Sequence, residues 1–313
     1  MIVGERVRAG YLMQILVSLG AIEFTGQGSA IAQTLPDSLV AEIRAGARTF
    51  SLDQDSSVVP LLGTPTLPLV EVYLNGRGPF RFLIDLGANV VIVRRDVVGR
   101  AGGEVVVDRD RSDIIRFADL RLGAARFEGV TVGAYDTLDV EGVLGYNVLR
   151  YAGFTLDYPH RQFVLHRRRL PPPDGIAVLS YEVIDRLPFV RVRLGARSLL
   201  VILDTGASEW MTIPPMLQDS LSWATAPRPG PEVWNNQTGS TRVLVGQPVG
   251  TLAFGALRVP SPCIYVNPDA ETAWLGSSVM RWAAWTFDPT SQRVEVSVPA
   301  GIQVSDASCR RAD

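Results

Sequence analysis

The chain contains no lysine, so all 30 of its basic residues are arginine. That absence removes a lysine nucleophile and a Schiff-base residue from consideration. Histidine is nearly as scarce: His160 and His166 sit close together in DYPHRQFVLHRR, where a strand end explains them better than catalysis or metal binding. Cysteine is limited to Cys263 and Cys309. There is no C-x-x-C pair, no Cys/His cluster and no acidic calcium loop, so the sequence supports neither a metal site nor a cofactor. The two cysteines fit one disulfide tying the tail to the second half of the chain in an oxidising compartment, or two separate thiols. A net charge of -2 provides no basic stripe to displace counterions from a phosphate backbone, so nucleic acid is not an expected partner.

Long apolar runs are also few. The one at residues 11–22 follows Arg6 and Arg8 and precedes Ser29-Ala30-Ile31-Ala32, an A-x-A-like cleavage site. It is too short to span a bilayer. Residues 1–32 therefore read as a cleaved export signal, leaving no membrane span afterwards. With 313 residues, 47% hydrophobic and 20% charged, the chain exceeds one ordinary core, and two lobes are expected.

What the sequence does have is a copy of itself. LPLVEVYLNGRGPFRFLIDLGA at 67–88 is echoed by LPFVRVRLGARSLLVILDTGA at 187–207. Alternation in VEVYL and VRVRL is the period-two pattern of half-buried strands, whereas FRFLID and LLVILD read as buried strands ending on an Asp-x-Gly-Ala turn. EGVLGYNVLRYAGFTLDYPHRQFVL at 141–165 corresponds in the same way to TAWLGSSVMRWAAWTFDPTSQRVEV at 272–296. Each has an apolar-apolar-Gly, a short helix-like stretch, and two strands joined by a turn. Between these anchors, residues 105–115 and 233–244 each place a polar, turn-rich cluster between apolar runs and read as hairpins.

The repeat is a whole lobe. The expected division is an N-terminal extension at 33–59, with a helix in LVAEIRAGARTF, a first lobe at 60–168, a linker at 169–180, a second lobe at 181–300 and a tail at 301–313. The Pro run in HRRRLPPPDG makes a stiff connector and its Arg run a solvated face.

An Asp followed by x-Gly-small at the end of a buried strand is a sharp turn in which Gly permits close backbone approach. One such turn is common in loops. Two in matching lobe-length contexts, at Asp85 and Asp204, allow the carboxylates to meet on a pseudo-twofold axis. Like charges that close cannot both ionise, so the pair would hold one proton and supply an acid and a base together. Such a pair can activate a water for attack on a peptide carbonyl, with no metal or covalent intermediate.

The repeated FLIDLGANVVIV and VILDTGASEWMT, each with a later apolar-apolar-Gly, resemble the pepsin-like and retropepsin-like aspartic peptidases from about residue 60 to 298. D-T-G-A and the N-G-R-G-P-F-R-F lead-in look most like the bacterial retropepsin-like branch. The resemblance implies an all-β, two-lobed pepsin-like fold with short helices and an internal duplication. It implies an aspartic endopeptidase acting on polypeptides, with Asp85 and Asp204 catalytic and Gly87, Thr205 and Gly206 supporting them. Thr205 would reach across to the other lobe's backbone. The hairpin at 105–115 would be a flap and 233–244 its counterpart, making Asp110, Arg111 and Trp234 candidate substrate contacts. A monomer is expected, since both lobes lie in one chain, exported to the periplasm or exterior of a bacterial cell at acid to mildly acidic working pH.

One departure stands out: Leu86 occupies the position where the family carries a hydroxyl, so half of the cross-lobe hydrogen bonding is missing. A catalytically silent peptide-binding module with the same fold is the competing reading. Residues 33–59 read as an ordinary extension or as a propeptide whose Arg44 or Arg48 pairs with the acidic site.

Overall fold

The computed structural model describes residues 35–108, 113–235, 239–302, 304 and 309. The expected export signal and the candidate contacts Asp110 and Arg111 lie outside the described residues. The chain begins with helix α1 (Asp37–Ala45) and strands β1 (Thr49–Leu52) and β2 (Ser56–Pro60). It continues through β3 (Leu69–Leu74), β4 (Arg77–Asp85), β5 (Ile92–Arg94), α2 (Arg95–Ala101), β6 (Glu104–Val107), β7 (Asp113–Leu122), β8 (Ala125–Tyr135), β9 (Gly142–Gly145) and α3 (Tyr146–Leu149). The hairpin β10 (Gly153–Asp157) and β11 (Gln162–His166) closes this half. The second half runs through β12 (Val178–Ser180), β13 (Glu182–Ile184), β14 (Leu187–Leu194), β15 (Arg197–Asp204), β16 (Met211–Ile213), β17 (Trp223–Asn235), β18 (Gly239–Pro248), β19 (Thr251–Phe254) and β20 (Leu257–Pro260). It ends with β21 (Ile264–Val266), β22 (Ala273–Gly276), α4 (Ser277–Met280), β23 (Ala284–Asp288) and β24 (Arg293–Ser297).

The duplication seen in the sequence is a duplication of strand pairing. In the first lobe the sheet order is β1-β8-β5-β9-β4-β3-β7-β6, and in the second β17-β18-β21-β16-β22-β15-β14-β19-β20. The parallel pair β4–β9 sets Asp85 opposite Gly145, and the parallel pair β15–β22 sets Asp204 opposite Gly276. Strand β4 is exposed at Arg77, Gly78, Pro79 and Arg81 and wholly buried from Phe82 to its end, as expected of a strand entering the middle of a sheet.

A third, six-stranded sheet, β12-β24-β23-β10-β11-β2, runs beneath both lobes. Its centre is the antiparallel pair β10–β23, where equivalent strands of the two halves meet and Phe154 stacks on Phe287 at 4.7 Å. The duplicated strands FTLD and WTFD are therefore the seam of the molecule.

The segment at 33–59 forms the expected helix, and it also enters the sheets. Strand β1 pairs antiparallel with β8, and β2 with β11. The Arg run after β11 is exposed but not merely solvated: Arg168 pairs with Glu295 at 2.9 Å and Arg169 with Asp288 at 2.8 Å, fastening the connector to the second half. Of the two readings open for the cysteines, the structure has the disulfide, Cys263–Cys309, across 46 residues. His160 sits in the β10–β11 turn against Asp157, and His166 ends β11. No helix among the described residues is long and apolar enough to cross a membrane.

Candidate active site

Asp85 and Asp204 end equivalent strands and face each other across the lobe boundary. Each is 1% exposed. Asp85 Oδ1 accepts the Gly87 N–H at 2.8 Å, and Asp204 Oδ1 accepts the N–H groups of Gly206 and Ala207, both at 3.0 Å. Asp204 Oδ2 is buried without a partner among the described residues.

The glycines are required by the opposing carboxyl. A Cβ on Gly206 would lie 2.5 Å from Asp85 Oδ2, and one on Gly87 would lie 2.5 Å from Asp204 Cγ. Each turn therefore shapes the cavity that holds the other lobe's acid.

Burial is the largest influence on both acids and raises both. The Gly87 N–H and a hydrogen bond from Asp204 partly offset it at Asp85, which is pushed up to about 6. Asp204 is raised well beyond the usual carboxylate range, by burial, by the charge of Asp85 and then by that of Glu209. The two titrate as a pair.

Thr205 makes the cross-lobe contact expected of it. Its hydroxyl donates to the Ile84 carbonyl at 2.6 Å and accepts the Leu86 N–H at 3.0 Å. The reciprocal contact is impossible for Leu86, whose side chain is fully buried in the main core. The joint is thus one-sided: hydrogen-bonded from the second lobe, packed from the first. Ser277, just past the second apolar-apolar-Gly, adds a bond to the Thr205 carbonyl at 2.7 Å.

Glu209 is a site residue that the sequence reading passed over. Its Oε1 accepts the Trp274 indole N–H at 2.9 Å and the Thr212 hydroxyl at 3.4 Å, while Oε2 is buried without a partner among the described residues. Burial raises its pKa, and its charge in turn raises that of Asp204. The available signal was an acid five residues beyond Asp204, in the connection between β15 and β16.

Both expected hairpins form. Strands β6 and β7 pair with Val105 opposite Ile115, and β17 and β18 pair with Trp234 opposite Ser240. Asp110 and Arg111 lie outside the described residues.

An all-β chain of two duplicated lobes, each ending one buried strand on an Asp-x-Gly-Ala turn, has the two-lobed aspartic protease fold. Residues 70–148, spanning most of the first lobe, match the aspartyl protease family model. That match supports membership of the retropepsin-like aspartic peptidases and a protease type of function. No curated protein matches the chain.

Proposed function

We propose that this protein is an aspartic endopeptidase in which Asp85 and Asp204 are the catalytic residues. The observation that carries this is the contact of two buried carboxyls at the ends of equivalent strands, with burial opposing ionisation of both. Ionised Asp85 takes a proton from a water as the hydroxyl attacks the peptide carbonyl. Protonated Asp204 hydrogen-bonds the carbonyl oxygen, and the proton gained by the pair is returned to the leaving amine. Gly87, Thr205 and Gly206 hold the pair in place. The hairpins around Asp110, Arg111 and Trp234 close over an extended polypeptide.

The direction of the pKa shifts sets the pH dependence. Below about 6 Asp85 is protonated and no base is present; above it, Asp85 ionises while Asp204 keeps its proton. The acid limb of kcat/KM for an unfolded protein or peptide substrate is therefore expected near pH 6, above the acid range anticipated from the family resemblance. Cleavage should be blocked by a statine-type inhibitor. Absence of cleavage at every pH from 4 to 9 would remove the endopeptidase reading.

Glu209 gives a sharper handle. Glu209→Gln keeps an acceptor for Trp274 but removes the charge that helps keep Asp204 protonated, so the alkaline limb should move to lower pH by roughly half to one unit. An unchanged limb would mean that the Glu209 charge does not reach the dyad.

Leu86 favours a second reading, a silent peptide-binding module. Leu86→Thr restores the missing hydroxyl and should raise turnover several-fold, while costing about 1–3 kcal/mol in thermal or denaturant stability through lost apolar packing. Peptide binding by both forms with cleavage by neither would favour the silent module.

Export to an oxidising compartment is part of the proposal, supported by the Cys263–Cys309 disulfide. So is a monomeric state, with lobes at 60–168 and 181–300.

A further inference from the structure

Three arginines outside the dyad and its turns converge from three elements. Arg44 comes from the last turn of α1, Arg150 from the end of α3, and Arg186 from the turn between β13 and β14. They line an open hollow of about 460 Å³ together with Asp37, Val40 and Ala41 of α1.

Several of the described arginines have carboxylate partners. Arg95 has Asp113 and Asp136, and Arg100 has Asp96 and Glu141. Arg44, Arg150 and Arg186 form no ion pair among the described residues, and the Nε atoms of Arg44 and Arg186 are buried without an acceptor. Arg150 spends its Nε on the Asn147 carbonyl at 3.3 Å, leaving its terminal nitrogens free for another acceptor. Asp37 is the one acid on the lining, so the hollow carries a clear excess of positive charge.

The cluster is built by the fold. Helix α1 is fastened to the α3 region by the Asn147 amide donating to the Ile43 carbonyl at 3.0 Å and by the Tyr151 hydroxyl donating to the Ala47 carbonyl at 2.6 Å. Those bonds fix Arg44 beside Arg150. Arg186 occupies the second place of a two-residue hairpin turn, with Asp185 at φ 49 and Arg186 at φ 66. Glycine is the residue best suited to that place. A long cationic side chain held there in a left-handed conformation points to use of the guanidinium. Burial lowers the Arg186 pKa, with the charge of Arg44 and then Arg150 adding to it against Asp185.

We infer that Arg44, Arg150 and Arg186 form a binding site for a small polyanion, a pyrophosphate-type or polycarboxylate ligand. Guanidinium forks match such oxyanions in bidentate geometry, and the hollow has the size of a small-molecule site. Because α1 and α3 pack with the first lobe and the β13–β14 turn leads into the second, an occupied site would clamp the two halves. The dyad plays no part in this, so the inference stands whether or not the chain cleaves peptides.

The test is thermal unfolding and calorimetric titration of the full chain at pH 7 with pyrophosphate, with citrate, and with sodium chloride at matched ionic strength. Pyrophosphate, citrate or both should raise the midpoint saturably where chloride does not, and comparison of the two identifies a phosphoryl or a carboxylate preference. Arg186→Gly supplies the residue suited to φ 66 and should leave the unliganded midpoint unchanged or higher, yet weaken binding at least tenfold. Arg44→Gln should weaken it similarly. A wild-type response no larger than that to chloride, or equal responses in wild type and both variants, would overturn the site.

Discussion

Asp204→Asn is expected to lower kcat/KM for peptide hydrolysis by about a thousandfold or more, which is about 4 kcal/mol of transition-state stabilisation. The fold should survive the change. The Asn Oδ1 can still accept the Gly206 and Ala207 N–H groups, and its Nδ2 can donate to Asp85, so every contact of Asp204 has a neutral counterpart. What is lost is a transferable proton at the position now occupied by Oδ2. Asp204 must stay protonated in the fold at a pH where the unfolded chain would ionise it, and Asn carries no such cost, so the thermal midpoint at pH 7 should hold or rise. Loss of activity without loss of stability separates a chemical role from a structural one. Normal turnover by this variant would exclude the dyad.

Gly206→Ala is expected to reduce activity by about a hundredfold or more and to cost about 1–3 kcal/mol in stability. Its Cβ would fall 2.5 Å from Asp85 Oδ2 and 2.7 Å from Asp85 Cγ, so the opposing carboxylate has to move off the axis. Gly87→Ala should act in the mirror sense through Asp204. Gly99→Ala is the control: this glycine lies in α2, at ordinary φ with open space around it, and alanine there should be neutral or stabilising by about 0.5–1 kcal/mol. Equal activity in the Gly206 and Gly99 variants, measured at one substrate concentration series, would mean that the turn glycines do not shape the site.

The lobe architecture was legible because duplication writes the same pairing twice. The Asp-x-Gly-Ala turns and the later apolar-apolar-Gly pairs are residues that lie opposite one another in β4–β9 and β15–β22, so a repeated register left a repeated string. Thr205 was legible for the same reason, since its place in the turn determines its reach to Ile84 and Leu86. The role of residues 49–60 was not. Strands that short pair with partners far along the chain, Leu52 with Ala125 and Pro60 with Gln162, and nothing local in TFSL or SSVVP names β8 or β11. Glu209 was hidden because its significance comes from what surrounds it: the indole of Trp274 holds Oε1, and Oε2 is buried without a partner among the described residues, so that its charge acts on Asp204. The arginine hollow is assembled from α1, α3 and a hairpin turn, and the sequence separation of Arg44, Arg150 and Arg186 concealed it in a chain whose basic residues are all arginine.

The sharing of one proton by Asp85 and Asp204 is the point on which the mechanism turns. It is read most directly in the infrared difference spectrum between the wild-type protein and Asp204→Asn at pH 7, in the protonated-carboxyl region. Glu209 is present in both proteins, so its contribution largely cancels. The predicted result is a protonated-carboxyl band in the wild type that is lost in the variant. Two ionised carboxylates at pH 7, with no such band to lose, would contradict it.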